Sequence, residues 1–209
     1  MQLIQLENVL SKHIPAKASP YVASLIAHYK VHLTIKWNRQ SKFGDYRVPR
    51  KGEQHRITIN NALNKYAFLI TLVHELAHLT TFLKHGFKVA DHGQEWKQEF
   101  KVLMQPILHD VEIFPADVQR ALILYMSNPK ASSCSDVHLM KTLNQHNAIP
   151  SKHVSDLALG THFVLHNNSK IFRLDKKLRK NFLCKEIQSG LNYRISSIAE
   201  VKQVVEIMQ

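Results

Sequence analysis

From Phe68 to Leu83 the chain is apolar around most of a helical circumference, through Phe68, Leu69, Leu72, Val73, Leu76, Leu79 and Leu83. A helix that is apolar on nearly every side is a buried one, so the rest of the fold has to be laid around it. Three titratable groups nevertheless sit inside this run: His74, Glu75 and His78. Left without partners in a core, such groups cost about 2–7 kcal/mol each. Helical residues four apart lie one above the other, so the imidazoles of His74 and His78 can converge on one metal ion, which supplies the missing partner. Glu75 then stands beside the ion rather than on it, where a general base for hydrolysis is needed, and the spacing is that of a catalytic zinc site. With 14 histidines and nine glutamates in 209 residues, chance gives about 0.04 occurrences of the pattern.

Catalytic zinc usually takes three protein ligands and keeps a fourth position open. His92 is the expected third, in Asp91-His92-Gly93-Gln94-Glu95-Trp96, where a new helix starts and continues through Trp96, Phe100, Leu103 and Met104. Asp91 is expected to cap that helix or to support a ligand, and Gly93 to let the backbone approach the metal helix. His85, followed by Gly86, and Glu95 or Glu99 are the competing ligands, although His85 lies close along the chain for folding back. Trp96 and Phe100 are expected in the core.

His74-Glu75-Leu76-Ala77-His78, followed after thirteen residues by His92-Gly93-Gln94-Glu95-Trp96, resembles the SprT-like zinc metallopeptidase family, which includes the DNA–protein crosslink protease Spartan. The spacing differs from that of metzincins, whose third histidine follows within a short turn. The resemblance covers roughly residues 20 to 125. It implies a zincin-like fold, one zinc ion per chain held by His74, His78 and His92, Glu75 as the catalytic base, and a polypeptide substrate held on DNA. Many family members carry a C-terminal zinc ribbon with paired Cys-x-x-Cys motifs, whereas this chain has only Cys134 and Cys184, fifty residues apart.

Two cysteines so far apart give neither a disulfide framework nor a zinc knuckle and are expected as reduced thiols. The start, Met1-Gln2-Leu3-Ile4-Gln5-Leu6-Glu7-Asn8, lacks a basic segment with a sustained apolar run, and no eighteen consecutive residues are apolar. A cytoplasmic protein without a membrane partner is expected.

Periodicity predicts helices over 3–13 and 20–30, then strands over 31–37, 43–48 and 55–60, with Pro49-Arg50-Lys51-Gly52 as the turn between the last two. The metal helix, a helix to about Leu108 and one opened by Pro115 and running to Met126 follow. This order predicts an α+β fold: a zincin-like metallopeptidase domain over 1–128, made of a small sheet packed by helices. A linker with a short helix at Val137–Gln145 is expected over 129–149. Residues 150–209 read as a small β-rich module, SH3-like in outline, in place of a zinc ribbon. Its predicted strands flank two turns, Asn167-Asn168-Ser169 and Gln188-Ser189-Gly190, and the closing segment 198–207 reads equally as helix or strand.

Charge adds a partner. Against 16 acidic residues stand 28 basic ones, a net charge of +12, which suits a polyanion, with single- or double-stranded DNA foremost. The excess concentrates at Lys170, Arg173, Lys176, Lys177, Arg179, Lys180 and Lys185, interleaved with Phe172 and Phe182. Basic loops beside aromatics suit phosphate contact and base stacking, yet the two phenylalanines are expected in the module's own core. The alternative to a DNA-associated zinc peptidase is a non-proteolytic nucleic-acid-binding protein whose zinc only stiffens the fold. The glutamate next to His74 argues against it.

Overall fold

A computed structural model describes residues 3–37, 43–50, 52–130, 136–166 and 168–205. The chain divides into two compact units, Met1–Ala148 and Ile149–Gln209. The first is mixed α and β, the second mostly strand, so helices and two sheets make an α+β chain.

In the first unit, α1 (Leu3–Leu10), a 3-10 turn (Ala16–Ala18) and α2 (Ser19–His28) precede the sheet. The first helix stops three residues before its predicted end because Pro15 follows: proline disfavours helical backbone at the residue before it. Lys30, at φ 50°, reverses the chain into the sheet. Strand β1 (His32–Lys36) runs parallel to β3 (Arg56–Asn60), and β2 (Gly44–Arg47) lies antiparallel on the other side of β3, giving the order β1-β3-β2. The alternation on β3 turns Ile57 and Ile59 into the core.

Helix α3 (Lys65–His85) is the centre, buried through every residue from Ala67 to Ala77. Its start is fixed by Asn64, whose Oδ1 accepts from the backbone N–H of Tyr66 at 3.1 Å and of Ala67 at 3.0 Å. Gly86, at φ 61°, ends it in the left-handed conformation that glycine adopts without strain. By length and composition α3 could pass for a membrane span, but most of that apolar window is buried inside the unit. Helix α4 (Gln94–Leu108) sets Trp96, Phe100, Leu103, Met104 and Ile107 at helical spacing into the same core, and α5 (Ala116–Ser127) packs behind it. The segment expected as linker is more than that: α6 (Val137–Asn144) inserts Leu139 and Leu143 into the first unit's core, and the Nδ2 of Asn64 donates to Leu143 O at 2.8 Å.

In the second unit β4 (Lys152–His153), β5 (His162–Leu165), β6 (Ile171–Lys177), β7 (Asn181–Glu186), β8 (Asn192–Ser196) and β9 (Glu200–Val205) form one antiparallel sheet in the order β4-β9-β5-β6-β7-β8. Of the closing segment, Glu200–Val205 is strand, because β9 pairs with β4 on one side and β5 on the other. Strand β6 continues to Lys177 through a bulge between Leu174 and Lys176. Its core holds Val154, Phe163, Phe172, Leu174, Phe182, Cys184 and Ile195. Of the two expected turns, the second holds Gly190 at φ 71°, while Asn167 of the first lies outside the described residues, as does Cys134. Cys184 is a free thiol, and burial pushes its pKa up to about 11.

Candidate metal centre

Helix α3 presents His74 and His78 on one face, and the loop before α4 carries His92 to meet them. The Nε2 atoms of His74 and His78 are 3.2 Å apart. Ring centroids of His92 lie 5.4 Å from His74 and 4.5 Å from His78, and one ligand atom from each of the three falls within 4.8 Å of the others. The cluster is walled by Trp96, fully buried, whose ring centroid stands 4.6, 5.4 and 4.7 Å from those of His74, His78 and His92. Phe100, 5.3 Å beyond Trp96 and stacked on it, backs that wall. Both aromatics are core, as expected, and Trp96 in addition lines the histidine cluster.

The chemistry of this donor set fits a metal. Burial lowers the His74 pKa to about 3, with repulsion from His78 and His92 adding to it. Burial and His92 likewise lower His78 to about 4, against the opposing charge of Asp91, and burial lowers His92. All three are neutral at pH 7, the form in which imidazole offers a lone pair. His92 Nε2 is buried without a hydrogen-bond partner, and such orphaned atoms are rare in a folded protein. Two nitrogens bound at 2.0–2.1 Å on neighbouring corners of a tetrahedron stand about 3.3 Å apart, close to the 3.2 Å seen for His74 and His78. These three residues could hold a metal ion.

The competing residues lie outside the ion-holding group. Glu99, buried on α4, accepts from Lys84 Nζ at 2.6 Å and so ties α4 to the end of α3. Among the described residues, neither His85 nor Glu95 belongs to a group able to hold an ion. About the loop, the cap reading of Asp91 and the approach of Gly93 to the metal helix need correction. The N-cap of α4 is Gly93, with no side-chain cap bond, so Asp91 acts on His78 and His92 through its charge instead. Gly93 is crowded by Glu95 and Ala90 rather than by the metal helix, its N–H donating to Ala90 O at 2.9 Å.

Glu75 is 6 % exposed on α3, immediately after the first histidine, and one helical turn beyond Thr71. Three further polar side chains, Tyr46 and Arg47 on β2 and His55 just before β3, are tied to neighbours. Tyr46 Oη lies 2.8 Å from His55 Nδ1 with the rings stacked, and Arg47 Nε donates to Asp45 Oδ2 at 2.9 Å. Burial raises the Tyr46 pKa and lowers that of His55. The His55 ring packs against Phe82, 6.2 Å between centroids, on the last turns of α3.

The basic residues of the second unit divide into two sets. Lys170 is bound to Glu186 and to Tyr193 Oη, each at 3.2 Å, and Arg173 Nε donates to Asp175 Oδ1 at 2.6 Å. Lys176, Lys177, Arg179, Lys180 and Lys185 are exposed. Pairing brings in one cation the sequence pattern missed: Arg194 lies opposite Leu183, which lies opposite Lys176, and Lys185 lies opposite Arg173. Only the register reveals it. Phe172 and Phe182 are buried in the module's core.

Neither a curated protein nor a solved structure matches the chain. The model of the SprT-like family matches residues 18–117, a span that takes in α2, the three-stranded sheet, α3 and the three histidines. The chain thus carries a SprT-like domain over those residues.

Proposed function

We propose that this protein is a zinc-dependent peptidase with a zincin-like catalytic domain, and that it acts on proteins associated with DNA. The observation that carries the reading is the convergence of three neutral histidines, two of them on the helix that carries the buried Glu75. His74, His78 and His92 would hold the ion. Bound there, zinc would supply Lewis acidity toward water and the scissile carbonyl. Glu75 takes the proton of the attacking water and delivers it to the departing amine, while the apolar wall of Trp96 and Phe100 keeps bulk solvent from the histidines. Among the described residues the ion-holding group has three members, whereas structural zinc is commonly closed by four, which favours an open, catalytic position over a stiffening one.

The exposed set Lys176, Lys177, Arg179, Lys180 and Lys185, joined by Arg194, supports phosphate contact by the second unit. With Phe172 and Phe182 in the core, that contact needs no base stacking, so it suits single- and double-stranded DNA alike. Resemblance to DNA–protein crosslink proteases makes crosslinked proteins the substrate of choice. The test pairs hydrolysis with metal analysis. Purified protein should degrade an unfolded polypeptide, more so with DNA present, and lose that activity to a chelator. Glu75→Gln should abolish hydrolysis with zinc still near one per chain, while His78→Ala and His92→Ala lose the metal. Full hydrolysis by the glutamine variant, or wild-type zinc affinity in His92→Ala, would overturn the assignment.

A further inference from the structure

Six glycines occur in this chain, and four of them have positive φ: Gly52, Gly86, Gly160 and Gly190. Gly44 and Gly93 do not, so backbone conformation admits a side chain at either. At Gly93 the crowding atoms belong to its own loop and to the first turn of α4. At Gly44 they belong to α3. A Cβ built there would stand 2.8 Å from Thr71 Cγ2, 2.9 Å from Glu75 Oε1 and 3.0 Å from Glu75 Cγ. Gly44 begins β2, the edge strand, and its partner on β3 is the fully buried Ile59, so pairing fixes its height over the helix. The helix cannot retreat, since it is buried through all of this stretch. Thr71 is β-branched and stiff about χ1. The movable atoms are those of the Glu75 carboxylate.

Building on the reading of Glu75 as the base, we propose that Gly44 is a positioning residue for Glu75: the edge strand's bare backbone leaves the volume its side chain occupies and bounds it from the sheet side. A methyl group at Gly44 pushes the carboxylate off its place. The histidines face Trp96 and α4, so the metal ligands stay where they are.

Gly44→Ala tests this in the full chain, in a cycle with Glu75→Asp, whose shorter side chain draws the carboxylate away from β2. Gly44→Ala alone should lower kcat by roughly 10–100-fold, the scale of a displacement near 1 Å, with KM within about twofold and zinc content unchanged. In the Glu75→Asp background the same substitution should change kcat little. A second cycle needs no activity. In metal-free protein Gly44→Ala should lower the melting temperature, and lower it much less when Glu75→Ala and Thr71→Ser have removed the crowding atoms, because alanine then suits a strand at least as well as glycine. Equal losses of kcat with Glu75 and with Glu75→Asp, or equal melting losses in both backgrounds, would overturn the proposal. Should the wild-type protein hydrolyse nothing, coupling in the melting cycle would still support the placement and the fault would lie with the peptidase reading; its absence would overturn the placement itself.

Discussion

Acid should loosen the metal-free protein well before its carboxylates titrate. His74 and His78 are held near pKa 3 and 4 by burial, with His78 and His92 adding repulsion at His74 and His92 at His78, against 6.5 in an unfolded chain. The unfolded state therefore binds protons first. The stability that comes from keeping these rings neutral is complete above pH 6.5 and is lost as the pH falls toward the folded values. At pH 5 each ring costs about 2 kcal/mol, a figure set almost wholly by the unfolded pKa as long as the folded one stays below about 4.5. The pair together should therefore remove about 4 kcal/mol between pH 7.5 and 5. His92, His13 and His55 are also lowered by burial and act in the same direction. Urea denaturation followed by tryptophan fluorescence reads the right unit, because both tryptophans, Trp37 and Trp96, lie in the first. Trp37 is 74 % exposed and Trp96 fully buried, so the signal change on unfolding comes from the wall of the histidine cluster. Chelated protein at the two pH values should differ by at least 3 kcal/mol or so, and His78→Gln should recover about 2 of them. A difference below about 1 kcal/mol, or one untouched by His78→Gln, would refute the picture of buried neutral histidines.

Two further outcomes follow from the packing and the charge. Asn64→Ala removes the α3 cap and the bond to Leu143 O, and should cost about 2 kcal/mol, whereas Asn64→Ser keeps the cap acceptor and should cost about half as much by the same denaturation assay. If about four to six phosphates are neutralised, log affinity for single-stranded DNA should fall with log salt at a slope of roughly −3 to −4, and reversing Lys176, Lys177 and Arg179 should flatten it. The same reversal at Lys170 and Arg173, already tied to Glu186 and Asp175, should change the slope less; an unaltered slope in the first variant would leave the charge as solvated surface.

How legible the site was in the sequence follows from how local its parts are. Spacing within one helix is a one-dimensional property, so His74, Glu75 and His78, together with the apolar run that buries them, could be read directly. His92 was reachable by counting ligands, and the strand pattern of β3 by its alternating isoleucines. Other features depend on what each residue meets. Pro15 cut α1 short, a local effect the periodicity overrode. Residues Leu139 and Leu143 gave α6 to the first core although its sequence reads as part of a polar linker. The final strand was undecided between helix and strand until β4 and β5 supplied backbone partners on both sides. Cross-strand register alone put Arg194 in line with Lys176, and ion pairs with residues distant in sequence, Lys170 with Glu186 and Glu99 with Lys84, withdrew Lys170 and Glu99 from the roles their charge suggested. Gly44 is the sharpest case. In the sequence it is one glycine in a weak strand; only the packing of β2 over α3 gives its missing side chain a purpose, because the space it leaves is defined by Thr71 and Glu75, some thirty residues away. The sequence by itself determined the donor atoms and the helix that carries them, since those are set by residue identity at fixed helical spacing. Tertiary structure decided which atoms face one another, since contacts between distant segments depend on packing that no local pattern encodes.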